Sequence, residues 1–351
     1  MSHPTSITAN AFDAPALARL EDYLRRSNGD ATQIVALTPD ASTREYFRLP
    51  WKGATAVAAV YPEPFDPELH PYIDVTRLFE AANLPVPSII DVDAERGIIV
   101  QEDLGDRQLR RVFESTSDDE CEAYVERAIQ LIADIQAATQ LAYERDSIAS
   151  RLAFDDAKLS WEMDFFVEHY FRSYRHEQLS HGEEAQLRAE LNDVASELAA
   201  RPRVLCHRDF HSSNLLVDQE ENLRIIDHQD ARMGPASYDL VSLLLDRQTE
   251  VPSLAEIRQR RLFFLEERRA RGLAEITPDD FAQEFRLMTV QRCLKACGTF
   301  SYQTGVAGRA AAYEQFIDPM LIIAAQAAEW LNRFPALRAA VAARVKPSST
   351  H

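Results

Sequence analysis

The chain has 351 residues, and its 38 Lys+Arg against 56 Asp+Glu leave a net charge of −18 at pH 7. A hydrophobic content of 46% with 27% charged residues excludes a disordered chain, and the acidic balance excludes a general nucleic-acid binder, which needs a basic stripe to displace counterions. Only 10 glycines are present; none forms a dinucleotide fingerprint, a Walker P-loop or a G-x-S-x-G elbow, and there is no H-E-x-x-H zinc helix.

A length of about two domains is expected. The opening stretch MSHPTSITANAFDAP lacks a basic n-region and an apolar core, so no signal peptide is expected. Residues 14–26 carry apolar side chains at helical spacing and predict a short helix. The texture then changes. Gln33–Leu37, Tyr46–Leu49, Ala54–Tyr61, Ser88–Val92 and Gly97–Gln101 are short and rich in aliphatic and aromatic residues. They are bounded by Pro, Gly and Asp, which predicts strands, with one helix at Glu68–Ala82 between the third and fourth. From Asp106 onward helical periodicity dominates, with helices expected at Cys121–Thr139, Lys158–Tyr174 and Glu183–Ala199. A β-like island interrupts it at Val204–His207, Leu215–Val217 and Leu223–Ile226. Helices follow at about Tyr238–Leu245, Leu254–Arg271, Pro278–Phe300, Ala310–Leu331 and 335–344, before a polar tail. The expectation is an α+β chain: a small, mostly-β N-terminal lobe over 1–103, a larger, mostly-α C-terminal lobe over 104–345, and a tail at 346–351.

Cysteines fall at Cys121, Cys206, Cys293 and Cys297. Cys293 and Cys297 share a helical face but have no matching second pair, so buried thiols are expected rather than a disulfide framework or a metal site. Leu321–Leu331 contains Gln326 and Glu329 and is too short to cross a bilayer. A reduced, cytoplasmic protein with no membrane or nucleic-acid partner is expected; its oligomeric state is unknown.

The chemistry sits in the β-like island. Cys206-His-Arg-Asp-Phe-His-Ser-Ser-Asn214 is a polar loop between two apolar strands, with Asp209 and Asn214 separated by four residues. A further apolar strand, Leu223–Ile226, ends in Asp227, eighteen residues after Asp209. Phosphoryl transfer needs one carboxylate beside the attacking hydroxyl, and a second carboxylate with an amide oxygen to hold Mg²⁺ against a triphosphate. The spacing H-R-D-x-x-x-x-N matches the kinase catalytic loop, with Asp209 as candidate base and Asn214 and Asp227 as candidate Mg²⁺ ligands at the 206–216 loop and the 225–230 segment. Loop Asp and Asn often serve only as turn formers. Here the spacing, the strand context and the later strand-end Asp coincide. His207 and His211 suggest a zinc pair, but no third ligand at zinc-site spacing accompanies them.

At these residues the sequence resembles the aminoglycoside phosphotransferase family, whose fold is protein-kinase-like. Within it the chain is most similar to the bacterial sugar kinases that phosphorylate N-acetylmuramate and N-acetylglucosamine at the anomeric hydroxyl during cell-wall recycling. The resemblance runs from about Gln33 to Arg333. It rests on PDASTREYFRL (39–49), VQEDLGDR (100–107), WEMDFFVEHYF (161–171), CHRDFHSSNLL (206–216), IIDHQDARMGPASYDLVSLL (225–244) and QRCLKACGTF (291–300).

The resemblance implies an enzyme that uses ATP as phosphoryl donor, with Mg²⁺ and a small sugar acceptor. It implies Asp209 as base, Asn214 and Asp227 on the metal, and Asp239 bracing the catalytic loop. Backbone groups of Glu102 to Leu104 would meet adenine, and a turn over the ATP phosphates would span Asp40 to Arg44. Two departures stand out. Pro39 and Asp40 occupy positions where kinases favour glycine, so the expected contacts come from the Ser42 and Thr43 hydroxyls, backbone N–H groups or Arg44. The third strand, TAVAAVYPEP, has no lysine for the phosphates. Either Arg44 or Arg48 substitutes, or phosphate binding is weak; Arg44, a planar five-donor fork, is the favoured substitute, and surface solvation is the favoured reading of Arg48. Glu162, Asp230, Arg292 and Lys295 are candidate acceptor contacts. The alternatives are a kinase of an aminoglycoside, choline or homoserine, or a catalytically inactive kinase-like binding module.

Overall fold

Residues 15–27, 33–37, 44–247 and 252–345 are described by a computed structural model of the chain. The first 14 residues, Ser42 and Thr43 with the rest of the turn before Arg44, and the tail at 346–351 lie outside the described residues.

The predicted strands form one five-stranded antiparallel sheet of order β1-β2-β3-β5-β4. They are β1 (Val35–Leu37), β2 (Glu45–Trp51), β3 (Ala54–Val60), β4 (Ile89–Asp93) and β5 (Ile98–Glu102). β2 and β3 are joined at Lys52 and Gly53, both with positive φ (47° and 87°), as a tight hairpin with right-handed strand twist requires. Side chains alternate across the sheet. Ala56, Ala58, Val60, Ile98 and Val100 face the helix Ala16–Arg26, which contributes Leu20, Tyr23 and Leu24 to that core. Ile99 points the other way, onto Tyr72 and Ile73 of the helix Pro71–Ala81.

This sheet belongs to the first of two compact units, which comprises Met1–Arg107 together with Leu216–Gln229. The sequence reading assigns 216–229 to the second unit, and the backbone shows why packing places it in the first. β7 (Leu215–Val217) pairs with β8 (Leu223–Ile225). Val217 N–H donates to the Arg107 carbonyl at 2.8 Å, and Ile225 N–H to the Pro85 carbonyl at 2.8 Å. The Arg224 guanidinium grips both oxygens of Glu102, at 3.1 and 2.8 Å.

The second unit comprises Gln108–Leu215 and Asp230–His351 and is mostly helical. Its central element is the 28-residue helix Pro278–Gly305, capped by the Thr277 side chain, which packs on Asp156–Phe166 and Ile317–Trp330. At Gly298 the approach is so close that a Cβ would lie 2.8 Å from the Phe166 Cα. The stretch expected as one helix over Lys158–Tyr174 is α-helical only to Phe166 and continues as a π-helix over Val167–Tyr174. The expected helix Ala310–Leu331 is likewise broken by a 3₁₀ turn at Glu314–Phe316. A two-stranded sheet of β6 (Arg203–Cys206) and β9 (Arg232–Pro235) carries the 206–214 loop. β9 went unforeseen, since RMGP has the Gly and Pro of a loop. Cys206, Cys293 and Cys297 are buried and all four thiols are unpaired. Among the described residues no helix is long and apolar enough to cross a membrane.

Candidate active site

In the helical unit the 206–214 loop is held from beneath. Asp239, fully buried one residue into the helix Tyr238–Leu245, accepts from His207 N–H at 2.7 Å and Arg208 N–H at 2.9 Å. This is the brace expected of it. Two charge-assisted bonds to consecutive amides fix the turn, and Arg208 is held at φ 88°, left-handed backbone that a non-glycine residue adopts at a cost.

Asp209 follows directly. Its Oδ1 lies 3.1 Å from Arg292 Nη2 and 3.3 Å from Lys295 Nζ, and its Oδ2 lies 3.7 Å from Arg208 Nε. Burial alone would raise its pKa. Lys295, Arg292 and Arg208 outweigh burial and hold the carboxyl well below the usual carboxylate range. The loop then closes on itself: Asn214 Nδ2 donates to the Asp209 carbonyl at 2.9 Å, and Asn214 N–H to the His211 carbonyl at 2.8 Å. With its nitrogen so engaged, the Asn214 amide turns its oxygen away from that bond.

The four acceptor candidates divide by exposure. Asp230 keeps about half its side chain in solvent, 49%, and pairs with Arg208 at 2.7 Å. Lys295 keeps 17%. Glu162 is buried, accepting from Gln291 Nε2 at 2.7 Å with Lys158 at 3.5 Å. Arg292 is buried too, and its Nη2 also reaches Ser242 Oγ at 3.0 Å and Asp246 Oδ2 at 2.8 Å. Both buried groups hydrogen-bond to protein through one polar atom each, Glu162 Oε2 and Arg292 Nη2, while Glu162 Oε1 and Arg292 Nε and Nη1 have no hydrogen-bond partner among the described residues. Asp246 was not singled out from sequence, because nothing local marks an acid just past a helix end as an arginine's partner.

The sheet unit holds the other candidates. Asp227 has φ 63°, a conformation Asp tolerates better than most residues. Its Oδ1 accepts from Gln229 Nε2 at 2.7 Å and lies 3.7 Å from Arg44 Nη2, and 44% of its side chain is exposed. His228 anchors this end of the chain. It is fully buried between the rings of Tyr72 and Phe79, with Nε2 2.7 Å from Thr76 Oγ1. The Thr76 hydroxyl gives its one proton to the Tyr72 carbonyl at 2.6 Å, so His228 is the donor in that pair. No local sequence signal marks His228 or Thr76, which are 152 residues apart in the chain. An anionic oxygen at Asp227 and an amide oxygen at Asn214 are the hard donors that Mg²⁺ prefers.

Arg44 lies over the rings of Tyr46 and Tyr61, 5.7 and 5.6 Å from their centroids, and Nη1 donates to Tyr61 Oη at 3.4 Å. Arg48 is not solvated as expected. It forms paired bonds to Asp103 (2.7 and 2.9 Å) and to Asp106 (2.7 and 2.8 Å), tying β2 to the chain after β5. The Glu102 side chain is committed to Arg224, while Leu104 is half-buried beside Asp103. β3 is buried from Ala56 to Val60 and carries no cation.

The family profile described as "Phosphotransferase enzyme family" matches residues 33–273. An N-acetylmuramate/N-acetylglucosamine kinase of Neisseria meningitidis is 29% identical over 266 residues, 75% of this chain and 76% of that one. A kinase of the same name from Pseudomonas aeruginosa is 28% identical over 271 residues, 77% of this chain and 76% of that one. Among solved structures, the choline kinase LicA of Streptococcus pneumoniae superposes with a TM-score of 0.55 at 13% identity, covering 91% of this chain and 98% of that one. A likeness at that identity is one of fold, and the fold is the α+β, kinase-like one expected from sequence.

Proposed function

The chain belongs to the phosphotransferase enzyme family, and from that premise we propose that it is an ATP- and Mg²⁺-dependent sugar kinase. Its acceptor is N-acetylmuramate or N-acetylglucosamine, phosphorylated at the anomeric hydroxyl, in the cytoplasm, during cell-wall recycling. The names of the sequence relatives support the acceptor. The observation that carries the chemistry is Asp209: an ionised carboxylate on a loop whose backbone is braced by Asp239, at the start of the Asp-x-x-x-x-Asn spacing.

In this reading Asp209 accepts a hydrogen bond from the acceptor hydroxyl, aims its oxygen at the γ-phosphorus and takes its proton as the new P–O bond forms. The bond to the leaving ADP oxygen breaks in the same displacement. A carboxylate held so far toward its ionised form is a weak base, so orientation is its larger contribution. Asn214 and Asp227 would hold Mg²⁺, which supplies neutralisation of phosphate charge. Arg44 adds a permanent cation in the unit whose β3 lacks the usual lysine. Backbone groups of Glu102 to Leu104 receive the adenine. Asp230, which keeps about half its side chain exposed, remains the acceptor-facing candidate, while Lys295 is engaged with Asp209.

The test is ³¹P NMR of the product formed from ATP, Mg²⁺ and each sugar. An anomeric phosphate couples to H1. No product from either sugar, with turnover of choline, homoserine or an aminoglycoside, would move the acceptor assignment. No ATP consumption with any of these would leave the binding-module reading standing.

A further inference from the structure

The helix Pro278–Gly305 brings Arg292 and Lys295, three residues apart and so on one face, to a single oxygen of Asp209. Arg292 Nη2 donates to Asp209 Oδ1 at 3.1 Å and Lys295 Nζ to the same atom at 3.3 Å. Among the described residues, the nearest cationic group to Oδ2 is Arg208 Nε at 3.7 Å, beyond hydrogen-bond distance. The carboxylate is thus held asymmetrically. Arg292 is in turn fixed from behind. The same Nη2 reaches Asp246 Oδ2 at 2.8 Å and Ser242 Oγ at 3.0 Å, and the guanidinium lies 5.4 Å from the centre of the Tyr238 ring. The Arg292 and Asp246 side chains are 2% and 6% exposed.

One buried guanidinium nitrogen therefore joins two carboxylates. A buried Asp246 needs a cation and a buried Arg292 needs an anion, but Asp246 alone satisfies that demand. The second link, to Asp209, does something else. The terminal torsion of an aspartate is broad, and two cations on one oxygen narrow it to one setting.

We propose that Asp246 and Arg292 form a strut, with Lys295 as its second arm, that clamps Oδ1 of Asp209 and presents Oδ2 to the acceptor hydroxyl. Arg292 and Asp246 are then positioning residues, not acceptor contacts. The proposal rests on the reading of Asp209 as the acceptor-facing carboxylate.

The experiment uses the full chain with ATP, Mg²⁺ and N-acetylglucosamine or N-acetylmuramate, measuring kcat and both KM values for Asp246→Asn, Lys295→Met, Lys295→Arg and Asp209→Asn. Asp246→Asn is isosteric and removes only the charge that holds Arg292. It is expected to lower kcat about 10- to 100-fold with both KM values within twofold of wild type, the range expected when a reacting group is misplaced. Lys295→Met is expected to lower kcat likewise, and Lys295→Arg to restore most of it. Combined with Asp209→Asn, neither variant should lower kcat further, because the clamp then has no carboxylate to aim. Should Asp246→Asn fail to fold, the Lys295 pair and its double variant decide the matter alone. A rise in acceptor KM with unchanged kcat would make these residues acceptor contacts and overturn the strut. So would full activity of Asp246→Asn or Lys295→Met while Asp209→Asn is slow. Full activity of Asp209→Asn would overturn the strut and the base assignment together.

Discussion

Arg44 Nη2 lies 3.7 Å from Asp227 Oδ1, so the proposed phosphate cation and the proposed metal carboxylate face each other within one unit. A guanidinium cannot be deprotonated at working pH, and Tyr46 and Tyr61 hold it by their ring faces. Arg44→Ala is expected to raise the KM for ATP and lower kcat while the sugar KM stays nearly constant. A charge-assisted hydrogen bond is worth about 1.5–3 kcal/mol, so kcat/KM for ATP should fall about 10- to 150-fold. Steady-state kinetics against ATP at saturating sugar measure it, and a change under twofold would remove Arg44 from the nucleotide.

Asp227→Ala is expected to abolish Mg²⁺-dependent turnover, because it deletes an anionic oxygen. Asn214→Ala removes a neutral one and should be milder. It also frees the Asp209 carbonyl from its 2.9 Å bond, so some loss of loop order should accompany it. A magnesium titration of both variants checks this; full recovery of Asp227→Ala at ordinary Mg²⁺ would contradict the assignment.

Asp209→Asn keeps the shape and removes proton acceptance. Loss of a general acid–base group is typically worth about 10²–10⁴-fold, and kcat should fall within that range while ATP affinity changes little. Because the carboxyl is held well below the usual range, the wild-type rate should show no ionisation of this residue between pH 5 and 8. Turnover of the variant within threefold of wild type would exclude the role.

His70 gives a pH dependence of stability. Burial first, and then the charge of Arg44, push its imidazole down to about 4. In the unfolded chain it titrates near about 6.5. Between those values the unfolded state binds more protons, so stability falls as pH drops through that window, by up to about 1.4 kcal/mol per pH unit. His211, also held at about 4 by burial, acts in the same direction. His70→Gln should therefore flatten the decline in urea midpoint between pH 6.5 and pH 4.5. An unchanged slope would place the dependence elsewhere.

Gly298 tests the packing that carries Arg292 and Lys295. A side chain there would meet the Phe166 backbone, Cα at 2.8 Å and N at 3.1 Å. Backbone cannot turn aside as a side chain can. Gly298→Val should destabilise by the about 1–3 kcal/mol typical of overpacking, read as a lowered thermal midpoint. A midpoint equal to wild type would show that the two helices can part.

What the sequence made legible follows physical range. β2 and β3 were readable because alternation is local, and Phe47, Leu49, Ala56 and Ala58 carry it. The Asp209–Asn214 spacing was readable because one loop fixes both. The π-helix at Val167–Tyr174 was not, since its side chains keep a helical amphipathic pattern and only the backbone bonding differs. Asp246, His228 and the pairing of Arg48 with Asp103 and Asp106 were invisible for a different reason. Each matters through a partner brought close by the fold, from 46 to 152 residues away in sequence.

The cation-free β3 strand has a consequence for chemical labelling. The whole chain has four lysines, and among residues 1–107 and 216–229 the only one is Lys52. It sits on the β2–β3 turn, at the opposite end of a seven-residue strand from Arg44, about 20 Å away along the sheet. Nucleotide reagents that mark kinases by acylating an amine beside the phosphates would meet a guanidinium in this unit, which does not form a stable amide under those conditions. Amine capture would then depend on Lys295, beside Asp209 in the helical unit, whereas dicarbonyl reagents, which condense with arginine, would reach Arg44.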